Sequence, residues 1–189
     1  MSAGIIFMIM NTIAESIYPN YNVGSNAISD LGAVGQSTRY LWDGQLLVSG
    51  ILGLVGALIF LFRSSFAHRS EIRGLVKIIY LLPPIASIVV SLVPENTISA
   101  IHSLAALTEF VSGGISAIYT YRFTDAPFRY FSILLGATSL SSVVLLESAS
   151  SILGFGGAER LVVYPFVIWS VAFGGYLVAQ KTALSYRVS

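Results

Sequence analysis

The chain contains no cysteine. Disulfides, thiolate metal sites and cysteine nucleophiles are therefore excluded. Histidine is nearly absent as well. His68 and His102 are the only two, too few for an all-histidine metal cage or for paired haem ligands within the membrane. Charged side chains make up 10% of the 189 residues, against about 25% in an ordinary soluble domain. So thin a supply cannot cover a water-exposed surface. A soluble globular domain, a disordered chain and a coiled coil are all excluded on that ground. The net charge is +1, so no electrostatic case exists for nucleic acid as a partner. Also missing are a glycosylation sequon, a Gly-x-Ser-x-Gly nucleophile elbow, a His-Glu-x-x-His zinc motif and a phosphate-binding glycine loop. No internal repeat of the transporter kind is visible.

What the chain does have is apolar residues, 55% of the total, arranged in long runs. A helix crossing the hydrocarbon core needs about 20 residues. Six segments qualify: 3–18, 40–62, 74–93, 99–121, 128–146 and 160–180. The expected architecture is therefore all-α, a single transmembrane domain of six helices. A β-barrel is disfavoured because its strands alternate apolar and polar residues, whereas these runs are continuous. The first run lacks a basic flank and a cleavage site, so it reads as a retained span rather than a signal peptide.

The few charges orient the bundle. The connection at 63–73, followed by Lys77, is the most basic segment. Arg122 and Arg129 flank the fourth-to-fifth connection, and Lys181 and Arg187 follow the last span. Six spans put all of these on one side. Asp30, Glu95, Glu147, Glu159 and Arg160 fall on the other, with Arg39. Lys and Arg accumulate on the cytoplasmic side, so both termini are expected there, in the cell membrane. His68, within the basic loop, reads as a residue facing lipid head groups.

Several features read as packing. Ser49, Gly50, Gly53, Gly56 and Ala57 form one small-residue face, the kind that lets membrane helices approach closely. Gly113-Gly114, Ser139, Ser141, Ser142 and Gly174-Gly175 extend the same logic. The Pro83-Pro84 pair reads as a packed kink, with a broken helix as the alternative. Asn96 or Thr97 is expected to cap the fourth helix and Asp125 the fifth. The Gly-rich segment 154–157 reads as a flexible outer turn, part of a Gly- and Ser-rich connection at 147–159.

The fourth span carries the chemistry. His102, Ala106, Glu109, Gly113 and Ser116 recur at three- and four-residue steps and so share one face. A charge as deep as Glu109 costs several kcal/mol unless it is paired or protonated. The face must therefore point into the bundle or a water-filled cavity. Two readings stay open for Glu109: a carboxylate that binds a proton or ligand, or a hydrogen-bonded structural acid. His102 has the same pair of readings. Glu15, Asp30, Asp43, Glu147, Glu159 and Arg160 gather near the outer boundary. They are suited to binding a cation or polar head group, to acid–base work, or simply to ending helices.

Two outer stretches carry a family resemblance. One is Tyr18-Pro19-x-Tyr21 followed by Asn26-x-Ile28-Ser29-Asp30-Leu31-Gly32. The other is Gly157-Ala158-Glu159-Arg160-Leu161-x-x-Tyr164-Pro165, continuing to Trp169 and Gly174. With His102 early in the fourth span, these resemble the family called domain of unknown function 998, small multi-pass membrane proteins of bacteria and archaea. The Ile-Ser-Asp-Leu-Gly element is also distantly similar to one in the damage-regulated autophagy modulators, six-span proteins linked to lipid handling. The resemblance implies fold and topology rather than an activity. Both stretches fall on the outer side. There Asp30 is expected to pair with Arg160 and to anchor the long first loop, with Asn26 and Ser29 closing its turns.

Three functions are compatible with this pattern. The first is a module binding a lipid or small amphiphile in an outward-facing pocket walled by the first, fourth and sixth spans. Its candidate residues are Glu15, Asn26, Ser29, Asp30, His102, Glu109, Glu159 and Arg160. The second is an accessory subunit of a larger membrane complex. The third is an enzyme acting on lipid or envelope precursors, which requires His102 to converge with a carboxylate. The expected partners are membrane lipids and, in the second reading, other membrane subunits. No cofactor and no metal is expected.

Overall fold

Long apolar runs with no water to satisfy their backbone form helices, because a helix pairs every N–H and C=O within the segment. The computed structural model describes residues 1–63 and 74–188, with side chains for 1–62 and 74–180. Among them there is no strand. The helices are α1 (Ser2–Ile17), α2 (Arg39–Arg63), α3 (Leu75–Leu92), α4 (Ser99–Tyr119), α5 (Phe128–Val144), α6 (Leu146–Leu153) and α7 (Phe155–Val188). The charges of Arg63, Arg69, Arg73, Lys181 and Arg187, together with His68, lie outside the described side chains.

Four stretches are long and apolar enough to cross a membrane: Arg39–Phe62, Leu75–Leu92, Ser99–Arg122 and Phe155–Gln180. A fifth candidate is α5 with α6, which meet at a bend of 86°. The first span is a shorter apolar helix of 16 residues, about 24 Å at 1.5 Å per residue. The chain is thus a polytopic helical protein with four or five full-length candidate spans and one short one.

Two expected boundaries shift. The 147–159 connection is not an open loop, because residues 146–153 form α6 and α7 begins at Phe155. Serines at 148, 150 and 151 do not prevent this. Ser150 and Ser151 turn their hydroxyls back onto the carbonyls of Leu146 and Ser148 within the helix. Nor is 154–157 a flexible turn. Gly154 takes φ +75° and ψ 163°, a region open to glycine alone, and Gly156 and Gly157 continue into α7.

Consecutive helices pack side by side, and α7 closes the ring against α1, α4 and α5. Small residues set the spacing. A Cβ on Gly50 would press on Ile88 and the Pro84 carbonyl of α3, and one on Gly136 would lie 2.6 Å from the Gly114 carbonyl of α4. The two prolines do not break α3, which runs without interruption through both. Pro83 removes the N–H that would have bonded the Ile79 carbonyl, and the Ser116 hydroxyl of α4 donates to that carbonyl instead at 3.2 Å. At one end of the bundle Phe60, Tyr80, Phe123, Trp169 and Phe173 form an aromatic core.

The caps are not those expected. Pro127 precedes α5 and Ile98 precedes α4, neither with a side-chain cap. Asn96 instead reaches across to Val34, accepting from its N–H at 2.9 Å and donating to its C=O at 3.1 Å. Thr97 donates back to the Pro94 carbonyl. The Asp125 carboxylate accepts from the Tyr176 hydroxyl of α7 at 3.3 Å. In each case a tertiary or turn partner outbids the free helix amide.

Candidate functional site

A cavity of about 450 Å³ runs between α1, α2, α3, α4 and α7. Its walls are mainly apolar: Phe7, Leu46, Pro83, Val163, Phe166 and Phe173 are among them. Its polar groups are few. His102, Glu109 and Ser116 face it from α4, Ser29 from the first loop, Ser87 from α3 and Glu159 from α7. The periodic face on α4 therefore does point inward, at His102, Ala106, Glu109 and Ser116. Gly113 serves packing instead: a Cβ there would lie 2.6 Å from the Phe166 ring. The walls include α2 and α3, beyond the three spans expected.

Each polar group has a specific local setting. The His102 ring is buried, and its Nδ1 lies 2.7 Å from the Val93 carbonyl at the end of α3. A carbonyl only accepts, so Nδ1 carries the proton, and in the neutral ring Nε2 is an acceptor. Asp43 and Glu95 lie within electrostatic range of this histidine. Glu109, two turns deeper, has the Ser87 hydroxyl as the polar group that acts on its carboxyl. Nothing in the position of Ser87, one turn after the proline pair, marked it beforehand as the partner. Glu159 accepts the backbone N–H of Ile28, which pins the first loop to α7.

The remaining candidates form a latch over the cavity's outer end, and its centre is Arg160, 6% exposed. The expected Asp30–Arg160 pair does not form. The guanidinium pairs with Glu15 of α1 at 2.6 Å and takes the Tyr21 hydroxyl at 2.6 Å. It also donates to the carbonyls of Val23, Asn26 and Gly156 at 2.9, 3.1 and 2.8 Å. The reason is reach. Asp30 is captured by its own turn, accepting from Asn26 Nδ2 and Ala27 N–H at 3.0 Å each. Glu15, in the last turn of the neighbouring α1, stands within direct reach of Arg160. Asn22 and Asn26 complete the loop, Asn22 accepting from the N–H groups of Gly24 and Ser25 and Asn26 from that of Asn22, the turn chemistry expected of Asn. Tyr21 joins the latch through the motif that carried the family resemblance, although no role was read for it.

Glu95 adds a third acid beside the loop. Burial pushes its carboxyl up from the usual range; a hydrogen bond from Ser29 opposes the shift, while Asp30 beside it adds to it. Among the described residues no group of three or more His, Asp or Glu side chains is arranged to hold a metal ion. The arrangement is a largely apolar cavity with acidic and imidazole groups along one line and a hydrogen-bonded lid at one end.

A family model described as "Protein of unknown function (DUF998)" matches residues 1–176. No curated protein and no solved structure matches the chain.

Proposed function

The chain belongs to the DUF998 family of proteins of unknown function, and we propose that it is a six-span cell-membrane protein that binds a lipid or small amphiphile in the cavity described above. The observation that carries this reading is the cavity itself. Its volume, about 450 Å³, falls in the range of roughly 300–1,000 Å³ common for ligand sites. Apolar walls with a few convergent polar groups suit a molecule that is oily along most of its length and polar at one point.

The test is to fill the space. Gly56 lines the cavity, and a Cβ there would meet nothing within 4 Å. Gly56→Phe should therefore fold normally and lose the lipid or amphiphile that native mass spectrometry detects on the wild type. Gly44 is equally open but lies outside the cavity, so Gly44→Phe should retain the adduct. A wild type that carries no adduct, or a Gly56→Phe variant that retains it, removes the basis for the proposal.

The topology rests on charge. Lys77, Arg122 and Arg129 stand at one end of the antiparallel bundle, and Asp30, Glu95, Glu147 and Glu159 at the other with Arg39 and Arg160, the latter two each paired with a carboxylate. The first set belongs to the cytoplasm, and α1, though short, completes six crossings with both termini inside. The absence of native cysteine makes single-cysteine labelling clean. Ser25→Cys should react with a membrane-impermeant maleimide on intact cells, and Ala126→Cys only after permeabilisation; the reverse pattern would invert the assignment.

A further inference from the structure

The cavity's hydrogen-bonding inventory is one-sided, and this bears on the head group of whatever occupies it. Apart from the exposed Ser2, most of the hydroxyls that line it are directed to partners within the protein. Ser49 donates to the Ala3 carbonyl, Ser116 to Ile79 and Ser170 to Val167. The Ser29 hydroxyl acts on the Glu95 carboxyl and that of Ser87 on Glu109. The indole N–H groups of Trp42 and Trp169 have no partner, but both nitrogens are shut away from accessible space. No Lys or Arg side chain lines the cavity among the described residues; a cation does stand in its wall, the N-terminal ammonium of Met1, packed against Gly174 at the end away from the latch. Arg160, the nearest candidate, turns its guanidinium to Glu15, Tyr21 and the first loop.

What faces the space is acceptors. His102 is 6% exposed, so it is buried apart from the cavity it lines. With Nδ1 spent on Val93, Nε2 of the neutral ring is an acceptor. Glu159 uses one oxygen for the Ile28 N–H and presents the other. Glu109 has Ser87 as its one polar partner and no cation near it. Glu159 differs, because the charge of Arg160 acts on it. An anionic head group placed beside Glu109 would meet that acid with no cation acting on it, the Met1 ammonium standing at the Gly174 end of the cavity and Arg160 acting on Glu159 instead, an opposed arrangement in a low-dielectric space. A head group that donates meets unfilled acceptors, and a cationic one supplies the countercharge that Glu109 lacks.

We propose that the occupant is an amphiphile whose head group donates hydrogen bonds and carries no negative charge, a long-chain primary amine that pairs with Glu109 being the simplest case. This rests on the amphiphile-binding reading above and narrows it. Phosphate and carboxylate head groups are excluded by the same acceptors that admit the amine.

The test uses the full chain in phosphatidylcholine nanodiscs with four probes of one chain length: dodecylamine, dodecanol, dodecanoate and dodecyl phosphate. Binding is read as the portion that Gly56→Phe abolishes, which removes simple partition into the bilayer. Dodecylamine should bind at least about tenfold more tightly than dodecanoate or dodecyl phosphate, a difference of about 1.4 kcal/mol, with dodecanol between them. Glu109→Gln should bring the amine down to the level of the alcohol and leave the alcohol within about threefold of its wild-type value, since the amide still accepts a hydrogen bond but supplies no charge. If dodecanoate or dodecyl phosphate binds as well as the amine, the head-group assignment is overturned while the amphiphile reading stands. If none of the four binds, the amphiphile reading itself falls and takes this inference with it. The wild-type ranking decides the matter even if Glu109→Gln does not fold.

Discussion

Replacing Arg160 by methionine should lower the melting temperature by about 10 °C. The side chain makes five hydrogen bonds, to Glu15, Tyr21, Val23, Asn26 and Gly156. They join α1, the first loop and α7. Methionine keeps much of the apolar stem and removes every donor. It leaves the Glu15 carboxylate, 16% exposed, without its cationic partner and with only the Asn11 amide donating to it, and three loop or helix carbonyls lose their bonds. Breaking a buried pair from one side costs about 3–5 kcal/mol, and each kcal/mol is worth roughly 2–4 °C in a chain of this size. Lysine should restore only part of the loss, because a single ammonium cannot serve five acceptors from a fixed planar fork. The measurement is thermal unfolding of the detergent-solubilised protein, with Glu15→Gln and the double variant alongside. The double variant should cost less than the sum of the singles, since both remove the same contact. A methionine variant within 2 °C of wild type, an interval of about 1 kcal/mol or less, would mean that the latch contributes little.

The second large effect is expected at Gly156, where two general tendencies oppose each other. Glycine inside a helix is destabilising by up to about 1 kcal/mol relative to alanine, so Gly→Ala in α7 ought to help. At Gly156 the contact geometry reverses the sign. A Cβ there would overlap the Asn26 carbonyl and lie 2.7 Å from the Val23 carbonyl. These are backbone atoms of the first loop, the same two carbonyls that Arg160 holds. They cannot rotate aside as a side chain can, so the loop must lift from α7 and take its bonds to Arg160 with it. Overpacking of this kind costs about 1–3 kcal/mol, to which part of the latch is added. Gly175 supplies the control on the same helix, since a Cβ there meets nothing within 4 Å. Gly156→Ala should unfold at a clearly lower temperature than wild type, and Gly175→Ala at the same or a higher one. Equal behaviour of the two would show that the loop does not rest on the helix at this point.

The candidate residues were legible in the sequence to different depths. The inward face of α4 could be read because helical periodicity places His102, Ala106 and Glu109 together without reference to anything else. The 18–32 and 157–165 stretches were singled out by their resemblance to the family whose model matches residues 1–176. The pairing between them could not be read. Which acid meets Arg160 depends on the order in which helices stand around the ring and on how the first loop folds over them, and Asp30 and Glu15 are equally plausible on charge alone. Ser87 was invisible for a similar reason: one serine on an apolar helix acquires meaning only when Glu109 of another helix faces it. The caps failed because Asn96 and Asp125 found tertiary partners, Val34 and Tyr176, that no local pattern announces.

Composition and run length were enough to give a polytopic helical protein with helices apolar enough to cross a membrane, because hydrocarbon admits few backbone solutions for 55% apolar residues in long runs. The direction in which α4 turns His102 and Glu109 followed from the 3.6-residue period. Only the folded chain decided that α5 bends into α6, that the first loop is held by Glu15 and Arg160, and that most of the serines around the cavity are directed to partners within the protein. Those are contacts between segments as much as 145 residues apart, and they are chosen by packing geometry among many pairings of nearly equal chemical merit.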